Sequence, residues 1–262
     1  MDRFEKIRKL NELLLQDMPE YREQAAAFPM ERTAQRRLLR SLMNVRPPKP
    51  LSPEYLALQD SLLSEERDEK DIVDVKSLPA CAKDPRLLLW QGDITRLNAD
   101  AIVNAANSAM LGCFRPCHGC IDNAIHSAAG SQLREECSQL MMAQGHEEPA
   151  GKAKVTSAYN LPCKFVIHTV GPVVSRRLTP KHERQLSGCY LSCLELANQM
   201  GLESIAFCCI STGEFHFPNA RAAEIAIATV LEFLSHPTSL KGIVFNVFQD
   251  SDLRIYQKLL AL

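Results

Sequence analysis

Cys113, Cys117, His118 and Cys120 place three thiols and one imidazole within eight residues, directly ahead of Ile121-Asp122-Asn123-Ala124-Ile125-His126, which reads as the start of a helix. These are the soft and borderline donors that zinc prefers. Cys113, His118 and Cys120 supply two thiolates and an imidazole. Three protein ligands leave the fourth tetrahedral position free for water or substrate, which separates a catalytic zinc from a structural one. Cys117 is open to two assignments: as a fourth ligand it closes the site, and turned away it leaves the site open. Packing accounts for Cys163, Cys189, Cys193, Cys208 and Cys209, which sit in apolar segments as small core residues. It does not account for the loop, whose Gly112, Arg115, Pro116 and Gly119 make its backbone irregular.

Three other segments leave predicted strands with chemistry suited to a nucleotide. In Gln91-Gly92-Asp93-Ile94-Thr95 the glycine permits a tight turn, and the carboxylate can accept from an exocyclic amine such as adenine's or cap a helical turn. In Val103-Asn104-Ala105-Ala106-Asn107-Ser108 two amides can donate and accept toward hydroxyls. Ile210-Ser211-Thr212-Gly213-Glu214-Phe215-His216-Phe217-Pro218 runs from an apolar strand toward a helix near Asn219, where exposed N–H groups and the helix dipole favour a phosphate. It is no Walker motif, since no Gly-Lys-Ser/Thr follows. Phe215 suits either stacking on a sugar or base or a place in the core.

Asp122, one turn into a helix, can orient water or act as a base, and the helix dipole favours a carboxylate there in any case. His126 reads as a packed or hydrogen-bonded helix histidine rather than a ligand, and His168, inside an apolar strand, as a buried histidine satisfied by a hydrogen bond.

The elements that must position these residues divide in two. Apolar Phe4, Ile7, Leu10, Leu13 and Leu14 recur at helical spacing and stop near Pro19; a second helix is expected at about 31–43. Pro47, Pro48, Pro50 and Pro53 then break the chain. A third short helix, about 53–63, is expected to run into Glu65-Glu66-Arg67-Asp68-Glu69-Lys70-Asp71 as a solvated face or linker. Beyond a boundary near residue 85, short β-rich apolar runs at 87–90, 101–103, 165–167, 204–210 and 242–248 alternate with helical stretches at about 121–144, 181–200 and 218–235. That alternation predicts an α/β domain over 85–262, behind a helical extension over 1–84.

Composition excludes several classes. With 46% apolar residues, 23% charged residues and a net charge of −1, the 262-residue chain reads as soluble and globular, with no basic nucleic-acid surface. No apolar run reaches the roughly 18–20 residues of a membrane span, and Met1-Asp2-Arg3-Phe4-Glu5-Lys6 lacks the apolar core of a signal peptide. Cytoplasm, where thiols stay reduced, is therefore the expected compartment.

Gln91-Gly92-Asp93-Ile94-Thr95, Asn104-Ala105-Ala106-Asn107-Ser108, Ile121-Asp122-Asn123-Ala124-Ile125-His126, Leu161-Pro162 through Val166-Ile167-His168-Thr169-Val170-Gly171-Pro172, and Ile210-Ser211-Thr212-Gly213 occur in an order and spacing that resembles a macrodomain, over about residues 86–262. More narrowly, the chain resembles the zinc-containing macrodomains of microbes, which are protein-ADP-ribose hydrolases. Cys117-His118-Gly119-Cys120 stands where ordinary hydrolytic macrodomains carry a glycine-rich run. The resemblance implies a three-layer α/β/α sandwich with a mixed central sheet; the zinc class carries a comparable N-terminal extension.

Residue by residue, it implies zinc on Cys113, His118 and Cys120. It implies adenine on Asp93 and the Ile94 backbone, Asn104 and Asn107 beside the distal ribose, and Ser211, Thr212, Gly213, Glu214 and Phe215 around the diphosphate and that ribose. Asn107 and Asp122 would be the catalytic residues. His216 departs from the glycine common at its position. The implied activity is zinc-dependent release of mono-ADP-ribose from protein side chains, with Asp/Glu esters the leading linkage. A non-catalytic ADP-ribose reader and an O-acetyl-ADP-ribose deacetylase are the alternatives. The implied partners are ADP-ribose and an ADP-ribosylated protein, for which a lipoyl-carrier protein is the class associated with this group; nucleic acid and membrane are not expected, and the chain is expected to be a monomer.

Overall fold

The computed structural model describes residues Met1–Leu262. The chain begins with α1 (Arg3–Asp17), opened by a capping box in which the Asp2 carboxylate accepts from the Glu5 N–H and the Glu5 carboxylate accepts from the Asp2 N–H. A single turn, α2 (Arg22–Ala26), leads to α3 (Arg32–Val45) and then α4 (Pro53–Asp68), which Ser52 caps and Pro53 starts. The helices share a core of their own around Ile7, Leu10, Leu14, Leu39, Leu42 and Leu62.

The charged run at 65–71 is not a linker at its start: α4 continues to Asp68. Its carboxylates are spent across the helical layer, Glu65 pairing with Lys6, Glu66 receiving two bonds from Arg36 at 2.6 and 2.7 Å, and Glu69 just beyond pairing with Arg3. The run is also the solvated face its charge density suggests, with Glu65 half-exposed and Asp68, Glu69 and Asp71 exposed, and three of its carboxylates form the outer seam between α1, α3 and α4.

The second unit is built on β1 (Val73–Asp74), β2 (Ala80–Cys81), β3 (Asp84–Gln91), β4 (Leu97–Asn98), β5 (Ala101–Ala106), β6 (Ala153–Ser157), β7 (Phe165–Val170), β8 (Ser204–Phe207) and β9 (Gly242–Val247). β1 and β4 form a two-residue parallel pair; the other seven make one sheet in the order β2-β3-β9-β8-β5-β7-β6. The inner pairings are parallel, and both edge strands, β2 and β6, are antiparallel to their neighbours. All six residues of β9 are buried, as an inner strand covered on both faces requires.

The helices of this unit are α5 (Ile121–Ala129), α6 (Ser131–Gln144), α7 (Pro180–Gln199), α8 (Asn219–Leu234) and α9 (Asp250–Leu260). Together they complete a mixed sheet flanked by helices, the three-layer α/β/α arrangement, with a helical segment ahead of it.

The α/β unit starts ahead of the boundary expected near residue 85, at β1, because Val75 and Cys81 pack into its core and β2 pairs with β3. Four further details depart from the periodicity reading. The stretch 121–144 is two helices, because Gly130 at φ +105° breaks it; a Cβ there would lie 2.6 Å from Gln132 Oε1. The strand expected at 204–210 ends at Phe207. Edge strand β6 and helix α9 carry no long apolar run and went unread. No helix is long and apolar enough to cross a membrane.

Candidate active site

The carboxyl ends of β3, β5, β8 and β9 open on a cavity of about 460 Å³. Its walls include Asp93 and Ile94 from the turn after β3, Cys120, Ile121 and Ala124 from the start of α5, and Ser211 through Phe215 from the loop after β8. Such a crevice is where open α/β sheets bind ligands.

Gly92 lets the chain leave β3, for a Cβ would meet the Trp90 ring at 2.5 Å. Asp93 does cap the short helical turn that follows: Oδ1 accepts from the Thr95 N–H at 3.0 Å and from its hydroxyl at 2.7 Å. Its Oδ2 lies 3.7 Å from Lys70 Nζ, and Asp93 is one of the residues of the cavity wall.

The loop after β8, part of the cavity wall, is held in a defined form. Ser211 and His216 have φ of +66° and +55°, Phe217 N–H donates to the Ser211 carbonyl at 2.9 Å, and Val174 N–H donates to the Phe215 carbonyl at 2.9 Å. Here His216 adopts the left-handed backbone for which glycine is the usual choice. Ser211 Oγ is buried without a partner, and Gly171 leaves it room, since a Cβ on Gly171 would stand 1.9 Å from that oxygen.

Three of the ligand-type side chains in the 107–120 loop converge. The ligand atoms of Cys113, His118 and Cys120 lie within 4.8 Å of one another, with Cys113 Sγ 3.5 Å from His118 Nδ1. Cys117 is absent from that group. At φ +51° it turns toward α3, where its sulfur lies 3.4 Å from Ser41 Oγ and 3.6 Å from the Arg37 carbonyl.

Two thiols and one imidazole, partly accessible and with no fourth protein donor, fit a zinc ion with one open position. Cys120 Sγ also accepts from the Asn123 N–H at 3.4 Å and so caps α5, whose dipole favours negative charge there. Burial, and then the proximity of the Cys113 sulfur, push the Cys120 thiol up to about 12, so a cation is what would make a thiolate pair comfortable.

Behind this loop lies a buried polar chain. Asp122, 5% exposed, accepts at Oδ1 from Asn104 Nδ2 at 2.8 Å, and the same amide nitrogen is 3.1 Å from His168 Nδ1. An accepting Nδ1 puts the His168 proton on Nε2, which is 2.9 Å from Thr156 Oγ1. Burial pushes the Asp122 carboxyl up to about 6, against the Asn104 bond and the positive charge of Arg134. His126 is buried with both ring nitrogens unpartnered, Nε2 lying 3.5 Å from Asp122 Oδ1. His126, Cys137 and His168 also cluster, but both nitrogens of His168 already have partners.

The residues singled out from sequence therefore fall in two groups. Asp93, Ile94, Cys120 and the 211–215 loop line the cavity. Asn104, Asn107 and Asp122 do not. Asn104 and Asp122 are bonded to each other below it, and Asn107 braces the loop, donating to the Gly112 carbonyl at 3.1 Å and accepting from the Ala109 N–H at 3.1 Å.

Asn246 and Phe248 line the cavity and were missed. Asn246 Nδ2 donates to the Gly92 carbonyl at 3.0 Å, and Phe248 is 72% exposed. The signal for both was available: a lone amide, and a terminal aromatic, in an otherwise apolar strand.

Comparison with known proteins agrees with this layout. Residues 103–226 match the Macro domain family. The chain is 50% identical to a protein of Treponema medium named protein-ADP-ribose hydrolase, over 96% of this chain and 97% of that one. It belongs to the macrodomain family. Among solved structures, the Trypanosoma brucei macrodomain in complex with ADP-ribose superposes with a TM-score of 0.66 at 32% identity, covering 84% of this chain and 94% of that one. The Oceanobacillus iheyensis macrodomain with ADP superposes at 0.61 and 40% identity, covering 67% and 90%. The second of these aligns with about the length of the α/β unit of this macrodomain, whereas the Treponema relative also spans the helical layer.

Proposed function

We propose that this macrodomain is a zinc-dependent hydrolase that releases mono-ADP-ribose from modified protein side chains, with Asp/Glu esters as the preferred linkage. The observation that carries the reading is the convergence of Cys113, His118 and Cys120, one of them in the wall of a nucleotide-sized cavity. The relative named protein-ADP-ribose hydrolase, similar over nearly the whole chain, supports the reaction class.

Asp93 Oδ2 accepts from the adenine amine, and the Ile94 backbone fixes the ring edge. The N–H groups of the 211–215 loop hold the diphosphate, while Phe215 presents its face to the distal ribose. Cys113, His118 and Cys120 would hold a zinc ion, which would supply Lewis acidity to polarise a ribose oxygen or to acidify a water. Asp122 beneath the loop holds or takes up a proton near neutrality, and Asn104, bonded to it, fixes its orientation. Asn107 keeps the loop carbonyl at Gly112 in place so that Cys113 enters at the right height. Phe248, exposed in the cavity wall, marks where the modified protein docks; a lipoyl-carrier protein is the candidate class.

The test is ADP-ribose release from an Asp/Glu-ADP-ribosylated protein by native protein, by chelator-stripped protein and by stripped protein given zinc back. Loss and recovery of release with zinc is the expected result. A zinc-loaded protein that binds ADP-ribose and releases none from the modified protein is a reader, and faster cleavage of O-acetyl-ADP-ribose than of the protein ester makes it a deacetylase.

A further inference from the structure

The helical layer reaches the metal loop through one helix, α3, and does so with polar side chains rather than apolar packing. Arg40 donates to Asn123 Oδ1 through Nη2 at 2.7 Å and Nε at 3.2 Å, and Nη2 is 3.4 Å from the His118 carbonyl. Asn44, 2% exposed, accepts from the Cys117 N–H at 2.9 Å and donates to Ser127 Oγ at 3.1 Å.

Asn123 is the hub these bonds serve. Its own side-chain amide donates to the Arg115 carbonyl at 3.0 Å, and its backbone N–H donates to Cys120 Sγ. One asparagine therefore touches both arms of the loop, and an arginine from outside the α/β unit sets its rotamer. Cys117, held at φ +51°, is the residue at which the chain reverses to bring His118 back toward Cys113.

We infer that Arg40 and Asn44 are positioning residues for the metal ligands: the helical layer forms the outer wall of the metal loop and fixes the spacing of Cys113, His118 and Cys120. This rests on the reading of those three residues as zinc ligands. Outer partners that orient ligands are worth about tenfold to a hundredfold in metal affinity.

The experiment measures zinc affinity of the full chain by competition with a chromogenic chelator, with melting of the metal-free protein as a check on folding. R40A is expected to weaken zinc binding at least tenfold, and R36A, whose arginine lies on the same helix but pairs with Glu66, to leave it unchanged. N44L is expected to weaken binding as R40A does. N44D, which keeps the acceptor for the Cys117 N–H, is expected to restore at least half of the lost affinity on a logarithmic scale, and it decides the matter should R40A fail to fold. Native protein that takes up no zinc overturns the metal site itself. Native protein that binds zinc, with R40A or N44L within twofold of it, overturns the positioning role and leaves the metal site standing.

Discussion

His118 Nε2 lies 3.5 Å from Glu214 Oε1, so the loop that carries the metal-type ligands and the 211–215 loop of the cavity wall meet side chain to side chain. Since His118 Nδ1 is the nitrogen turned to Cys113, a proton on Nε2 is directed at the carboxylate, the arrangement that fixes tautomer and ring orientation in metal-bound histidines. Arg115 approaches the same carboxylate at 3.7 Å.

Replacing Glu214 with alanine is therefore expected to weaken zinc binding. The carboxylate is 60% exposed, so the effect belongs at the lower end, about tenfold. Zinc titration of E214A reads it directly; affinity equal to that of native protein removes Glu214 from the support of His118.

Gly171 is expected to be intolerant of even one methyl group. The 1.9 Å approach to Ser211 Oγ forces either β7's exit or the 211–215 loop to move, and the loop, with all four residues after Ser211 exposed or half-exposed, is the part that can. Calorimetry of G171A should show ADP-ribose affinity reduced by tenfold or more, with a melting temperature lowered by only a few degrees. Unchanged affinity would mean that the loop backbone is not what holds the ligand.

Much of this was legible in the chain, and the limits are instructive. Cys113, His118 and Cys120 are close in sequence, so their spacing alone could propose a site. The cavity wall at Asp93 and 211–215 follows apolar strands that periodicity finds readily. What could not be read were contacts across long separations: nothing in sequence ties Arg40 to Asn123, or Asn44 to Cys117. Nor could the fate of amides be read. Asn104 and Asn107 look alike in the segment 104–108, yet one lies inside β5 bonded to a buried carboxylate and the other braces a turn. Gly130 shows the same limit, since an apolar pattern passes through it while its backbone conformation ends the helix.

Acid should destabilise the fold through His168. Burial lowers its imidazole to about 3 from 6.5, so the folded state refuses a proton that the unfolded chain takes up. Stability from this group is complete above pH 6.5 and is lost as pH falls toward 3, at most on the order of 5 kcal/mol. His126, lowered by burial, acts in the same direction, whereas Asp122, raised to about 6, opposes it between about pH 6 and 4. With chelator present throughout, native protein should lose melting temperature steadily from pH 7 to 4, and H168Q should lose less over that interval. Parallel curves for the two would mean that another group carries the acid response.

The two apolar cores, one among α1, α3 and α4 and one within the α/β unit, share no buried apolar residue, and hydrogen bonds such as Arg40–Asn123 and Tyr55–Ser131 span the space between them. The polar groups of the seam are themselves buried, Asn44 and Asn123 among them, so each bond lost there leaves a polar atom without a partner. The backbone amide of Cys117, whose acceptor Asn44 lies across the seam, is thus a reporter: its rate of hydrogen exchange measures the cost of parting the helical layer from the metal loop.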